Sequence, residues 1–127
     1  MTLQLDRVTG RFAVARLEAG SGWPHWMTWS RGFSTVTRTP DETTVVCEEH
    51  LVPAGVRAER GFAAYAVRGS LDFSAVGILA RVSSALADAD VSLLAFATFE
   101  TDVILVREAS AIDAERAWRS GGIAVEP

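Results

Sequence analysis

The pattern of apolar and polar positions is clearest in the second half of the chain. "FAAYAVRG" (62–69) is an apolar run of strand length that ends at a glycine. In "AVGILARVSSALADAD" (75–90), Val76, Leu79, Val82, Ala85 or Leu86, and Ala89 recur at helical spacing, which predicts a helix. "VSLLAFATF" (91–99) and "DVILVRE" (102–108) read as strands, and the "ETD" between them is short enough for a hairpin. "SAIDAERAWRSGG" (110–122) predicts a second helix, with Ser110 as its cap, Asp113 three residues on and Gly121 just past its end. Ile112, Ala117 and Trp118 are expected on its inner face. "IAVE" (123–126) closes the chain as a short strand.

The order is β-α-β-β-α-β, the split βαβ or ferredoxin-like unit. The first half repeats part of it. "RFAVARLEA" (11–19) reads as a strand and "GWPHWMTW" (22–29) as a short helical or turn segment. "FSTVTRT" (33–39) and "TTVVCEE" (43–49) read as strands joined by "PDE", where Pro and Asp supply turn chemistry. The remaining "HLVPAGVRAER" (50–60) holds Pro53 and Gly55 and is too short for a second long helix. With one residue gapped, Thr37 meets Thr98, Glu42 meets Asp102, Val46 meets Val106 and Glu48 meets Glu108. The expected fold is α+β, with two ferredoxin-like units in tandem. Residues 1–60 form an abbreviated unit and 61–127 a complete one, with antiparallel sheets and helices on one face.

Composition narrows the function classes. The chain has 127 residues, 49% of them apolar and 22% charged, as in a soluble globular domain. The net charge is -4 and no run of basic residues occurs, so no nucleic-acid partner is expected. No apolar stretch suggests a signal peptide or a membrane span, so no membrane partner is expected either. The lone Cys47, in a strand-like run, reads as a buried small hydrophobe. The expected compartment is the cytoplasm. His25 lies among tryptophans and His50 follows two glutamates; no HExxH, CxxC, GxSxG or phosphate-loop pattern accompanies them. "CEEH" (47–50) brings possible ligands together, but a strand end points them to alternate sides. No catalytic residue, metal or cofactor is expected. Trp23, Trp26 and Trp29 recur every third residue and make one stripe on a helix, fit for core or subunit contact or for a ligand cage.

Topology supplies a candidate site. If strand 62–69 runs upward, its exit loop and the 99–102 hairpin both lie at the top, because first and third strands are neighbours in this fold. "GSLDF" (69–73) and "TFETD" (98–102) then meet at one end of the sheet. The helix start offers free backbone N–H groups and the positive end of a dipole, suited to a carboxylate. Asp72, Glu100 and Asp102 suit an ammonium or guanidinium. A free amino acid presents both charges. Gly77, inside the expected helix, leaves the first turn unblocked. A structural reading stands beside this one: Asp72 caps the helix, Asp102 starts the hairpin turn, and Gly77 lets the helix lie close on the sheet.

These residues also carry a family resemblance. "LDFSxxGILA" (71–80) together with "TFxTDxILVRE" (98–108) resembles the ACT-domain group of small bacterial proteins with tandem ACT-like units, and "FSTVTRTPDETTVVCEE" (33–49) is similar to the motif of their first unit. The likeness extends over residues 5 to 126, and reaches the regulatory domains of aspartate kinase and the eukaryotic cytosolic arginine sensor. It implies a non-catalytic regulatory protein that binds an amino acid at an interface between ACT-like units. Leu71, Asp72, Phe73, Ser74, Val76, Gly77, Thr98, Phe99 and Asp102 would line the pocket. Asp102 would take the ligand's positive group, and backbone N–H groups from Ser74 to Gly77 its carboxylate. The first unit is abbreviated and no catalytic domain is attached, so a signal would pass to a separate protein partner. A homodimer is expected, since pairing removes an exposed edge strand. The competing reading is an interaction or oligomerisation module without a small ligand.

Overall fold

Strands form where branched and aromatic residues alternate with polar ones, and helices where the period changes. The computed structural model describes residues 3–69 and 76–127. Its strands are β1 (Gln4–Glu18), β2 (Thr35–Arg38), β3 (Glu42–Glu48), β4 (Ala58–Val67), β5 (Leu94–Ala97), β6 (Asp102–Arg107) and β7 (Ala124–Glu126). The helices are α1 (Ile78–Asp88) and α2 (Ala111–Ser120), with 3-10 turns at His25–Trp29, Glu49–Leu51 and Glu108–Ser110. The architecture is mixed α/β, with a mostly antiparallel sheet and few helices. Contacts divide the chain into two compact units, Met1–Val8 with Ala63–Pro127, and Thr9–Phe62. The expected division at residue 60 differs from this mainly in its opening residues, because β1 begins in one unit and continues into the other.

In the C-terminal unit the strand order is β7-β1-β4-β6-β5. The neighbours β4 and β6 are those the βαββαβ order requires. The last strand departs from expectation. β7 pairs in parallel with the opening of β1, matching Gln4 with Ala124 and Asp6 with Glu126. The sheet is therefore not wholly antiparallel. Leu3 and Leu5 alternate with Gln4 and Asp6, so this opening segment turns its apolar side to the core.

That core holds Leu5, Tyr65, Ile104 and Val106 from the strands, Val82 and Leu86 from α1, and Ala111, Ala114 and Trp118 from α2. Both helices therefore cover one face of this unit's sheet. The inner stripe of α2 is 111, 114 and 118; Ile112 is 72% exposed and does not join it. Leu79 and Ala89 are likewise exposed on α1, where Ile78 and Ala85 pack instead. The indole N–H of Trp118 donates to the Val82 carbonyl at 3.1 Å, and its ring meets Tyr65 edge-on with centroids 4.9 Å apart. The Tyr65 hydroxyl donates to Glu115. Burial first, then this carboxylate, pushes the phenol well above its usual pKa. Arg7 reaches both Glu108 oxygens at 2.7 Å, and its guanidinium lies 5.8 Å from the Tyr65 ring centre.

The N-terminal unit carries a thinner cover. Ala13, Ala15, Val45 and Cys47 from the strands meet Met27 and Val52, with Trp26 packed against them. Burial pushes the Cys47 thiol up to about 11, which fits a packing residue. The 3-10 turn at His25–Trp29 stands where the C-terminal unit has a full helix. Its stripe of tryptophans is divided, with Trp26 half-buried while Trp23 and Trp29 are exposed. Glu48 pins the chain after this turn. Its carboxylate accepts from Ser30 Oγ at 2.6 Å and from the N–H groups of Gly32 at 2.8 Å and Arg31 at 3.1 Å.

Burial raises the Glu48 pKa, but these hydrogen bonds outweigh it and hold the carboxyl below its ordinary value. A depressed folded pKa contributes stability that is present above the unfolded value and lost as pH falls through the folded one. Glu48→Ala is expected to cost about 1–3 kcal/mol at neutral pH. Urea unfolding of both proteins at neutral pH and again below about pH 4, the usual glutamate range, should show that difference shrinking with acid.

Candidate functional site

The β5–β6 hairpin forms one wall of the candidate site. It follows strictly paired strands, Leu94 opposite Leu105 through Ala97 opposite Asp102. A threonine closes its turn. Thr98 N–H and Oγ1 both donate to the Thr101 carbonyl, at 2.8 and 3.0 Å, while Oγ1 accepts from Thr101 N–H at 3.1 Å. Thr101 Oγ1 then donates to the Val67 carbonyl at 2.7 Å. Val67 ends β4. The hairpin is thus tied to the strand end that sequence reasoning placed beside it. Thr101 was missing from the sequence-based set, although a second hydroxyl three residues after Thr98 was its signal.

The predicted residues fall into three groups. Thr98, Phe99 and Asp102 lie together on the hairpin; Phe99 is 77% exposed and Asp102 half-buried. Among the described residues no cation pairs with Asp102. Val76 and Gly77 lie at the start of α1, and Val76 is 91% exposed, not on the helix's inner face. Leu71, Asp72, Phe73 and Ser74 lie outside the described residues.

Gly77 resolves differently from its sequence reading. It precedes α1, as the N-cap, with φ +81°. Among the described residues a Cβ there would meet nothing within 4 Å, so none of them crowds the glycine. Its left-handed backbone accounts for it. As a glycine, this cap has no side chain to accept from the first N–H groups, and the first turn of α1 holds no acid. Among the described residues no side chain caps that turn. The described residues of the candidate site thus comprise the start of α1 and, on the hairpin, the Asp102 carboxylate, both in the C-terminal unit. Among the described residues, no group of His, Cys, Asp and Glu is placed to hold a metal ion, and no helix is long and apolar enough to cross a membrane.

The N-terminal unit repeats the hairpin without a gap. Thr35 opposite Val46 through Arg38 opposite Thr43 becomes Leu94 opposite Leu105 through Ala97 opposite Asp102, each number 59 higher. Thr39 plays the part of Thr98, donating to the Glu42 carbonyl and accepting from Glu42 N–H at 3.1 Å. The turns Glu49–Leu51 and Glu108–Ser110 follow at the same spacing. This corrects the sequence pairing of Thr37 with Thr98 and Glu42 with Asp102. Thr43, buried and uncharged, stands where the second hairpin has Asp102.

Fold and hairpin define an ACT-like domain, and the comparisons agree. An ACT-domain family model matches residues 57–120, and the chain belongs to that family. A second model, described as an N-terminal domain, matches residues 10–55. A crystal structure of a protein from Agrobacterium tumefaciens is similar over 98% of this chain and 92% of its own, with 28% identity and a TM-score of 0.92. The aspartate kinase of Clostridium acetobutylicum, described as allosteric, is similar over 94% of this chain at 13% identity, with a TM-score of 0.68. This chain spans 34% of that enzyme. The ligand-free regulatory subunit of Thermus thermophilus aspartate kinase is similar over 92% of this chain and 93% of its own, at 13% identity and a TM-score of 0.59. No curated protein gives a significant match.

The backbone at Gly77 yields a direct test. Gly77→Ala places an L side chain at positive φ and is expected to cost about 1–2 kcal/mol. Gly77→Asn, which tolerates this region better, should cost less. Equal stability of both variants and the wild type in urea unfolding would show that the left-handed cap is not what selects the glycine.

Proposed function

We propose that this protein is a non-catalytic regulatory module that binds a free amino acid at the hairpin end of its C-terminal unit. The observation that supports the reading is that one unit of an ACT-family chain holds both a helix start capped by glycine and an Asp102 carboxylate that pairs with no cation among the described residues. The helix N–H groups take the ligand's carboxylate and Asp102 its ammonium or a guanidinium. The ungapped hairpin repeat and the two family-model matches support a tandem of ACT-like units, the first abbreviated. In this reading the protein works as a cytoplasmic homodimer, a second copy helps close the site, and ligand binding is signalled to a separate protein.

A ligand specific to the folded state raises stability by mass action. A panel of the free amino acids at millimolar concentration is expected to raise the melting temperature for one member or a small related set, with Arg and Lys tried first. Asp102→Ala should abolish the rise. A flat response of the wild type across the panel removes the amino-acid reading.

A second reading rests on Trp23 and Trp29, exposed by 50% and 75%. Two large apolar rings on one turn suit protein contact. Sedimentation of Trp29→Ala tests it: dissociation of an oligomer supports an interaction module. Trp26 is unsuitable for this purpose because it packs against the unit's core.

A further inference from the structure

The N-terminal unit has a sheet face whose polar residues the proposed function does not use. Arg16 of β1 lies at its centre. Across the β1–β3 ladder it faces Thr44. On its other side its N–H donates to the Arg57 carbonyl at 2.9 Å, which makes Arg57 its cross-strand neighbour on β4's approach. The two arginines, joined through the backbone, also line one cleft, where like charges are unfavourable unless something neutralises them.

Among the described residues the ion pairs of these two fall on Arg16. Arg16 Nη1 contacts Glu18 at 2.9 Å, Nε lies 3.9 Å from Glu42, and Nη2 donates to the Asp41 carbonyl at 3.5 Å. Glu18 is 86% exposed, so its hold on Arg16 is screened and readily exchanged. Among the described residues no carboxylate pairs with Arg57. Beside the two arginines is a cleft of about 220 Å³, lined by Val14, Arg16, Glu42, Thr44, Arg57 and Glu59.

We propose that this cleft is a second ligand site, for a small organic monocarboxylate held between Arg57 and Arg16. The planar guanidinium fork matches a carboxylate bidentately. Val14 offers apolar surface to the body of the ligand. Glu42 also lines the cleft, and its carboxylate repels a second negative charge, which selects against dicarboxylates and phosphates. The volume exceeds the roughly 150 Å³ that accommodates a benzene ring, leaving room for a ring or short chain together with the carboxylate.

Benzoate is a suitable probe, titrated calorimetrically into the full-length protein at constant ionic strength. Saturable one-to-one binding is expected. Arg57→Gln, an exposed change, should weaken it about tenfold, the loss of one charge-assisted hydrogen bond. Glu18→Gln, which frees the fork of Arg16, should tighten it. Asp102→Ala should leave it unchanged, which separates this site from the amino-acid site. Absence of saturable binding, equal binding by Arg57→Gln, or inorganic phosphate binding as tightly as benzoate would each overturn the proposal.

Discussion

The C-terminal unit depends on one buried side chain. Trp118 fills the space between α2 and the sheet, and its polar edge finds a backbone acceptor in α1. An indole buried without such an acceptor would lose much of what its apolar area contributes. The bond to Val82 therefore does more than satisfy a donor. It fixes where α1 lies against α2, and with it where α1 begins. Tyr65 meets the indole from the sheet side and is held in turn by Glu115. The position of Gly77 is thus tied to a contact at Val82, about one and a half turns further along its own helix.

The repeated hairpin shows how a short motif keeps its register while its surroundings change. Both copies use a threonine whose hydroxyl accepts from the N–H three residues on. That bond sets the turn length, and turn length sets the pairing of the flanking strands. The side chains on those strands are then free to differ. One copy places buried Thr43 where the other places Asp102. A charged residue at that point is therefore not a demand of the hairpin.

Much of this was legible in the sequence. Strand-length apolar runs and the 3.6-residue period located every helix and most strands, and the "LDFSxxGILA" and "TFxTDxILVRE" motifs pointed to the family that the family model shows. The misses have physical causes. Leu3 and Leu5 alternate with polar residues, but the run looks too polar for a strand until β7 pairs with it. Ile112 was grouped with Trp118, but six residues at 3.6 per turn set the two about 120° apart round the helix, so they share no face. Gly77 looked like a flaw inside a helix because a left-handed cap has no signature beyond the glycine itself. The repeat was matched by identical letters, whereas the true equivalence follows hydrogen-bond register.

The two proposed sites would bind an anion with different resources. In the C-terminal unit α1 has 11 residues, long enough for its aligned peptide dipoles to attract a carboxylate. The corresponding turn of the N-terminal unit has five residues in 3-10 geometry and no comparable dipole. An anion there must be held by side chains. Arginine fits that role better than a backbone site would on an open sheet face, since the sheet's own N–H groups are already committed to their ladders. On the reading proposed, the abbreviated N-terminal unit takes its ligand on the surface of a sheet instead of at the end of a helix, and through guanidinium instead of backbone.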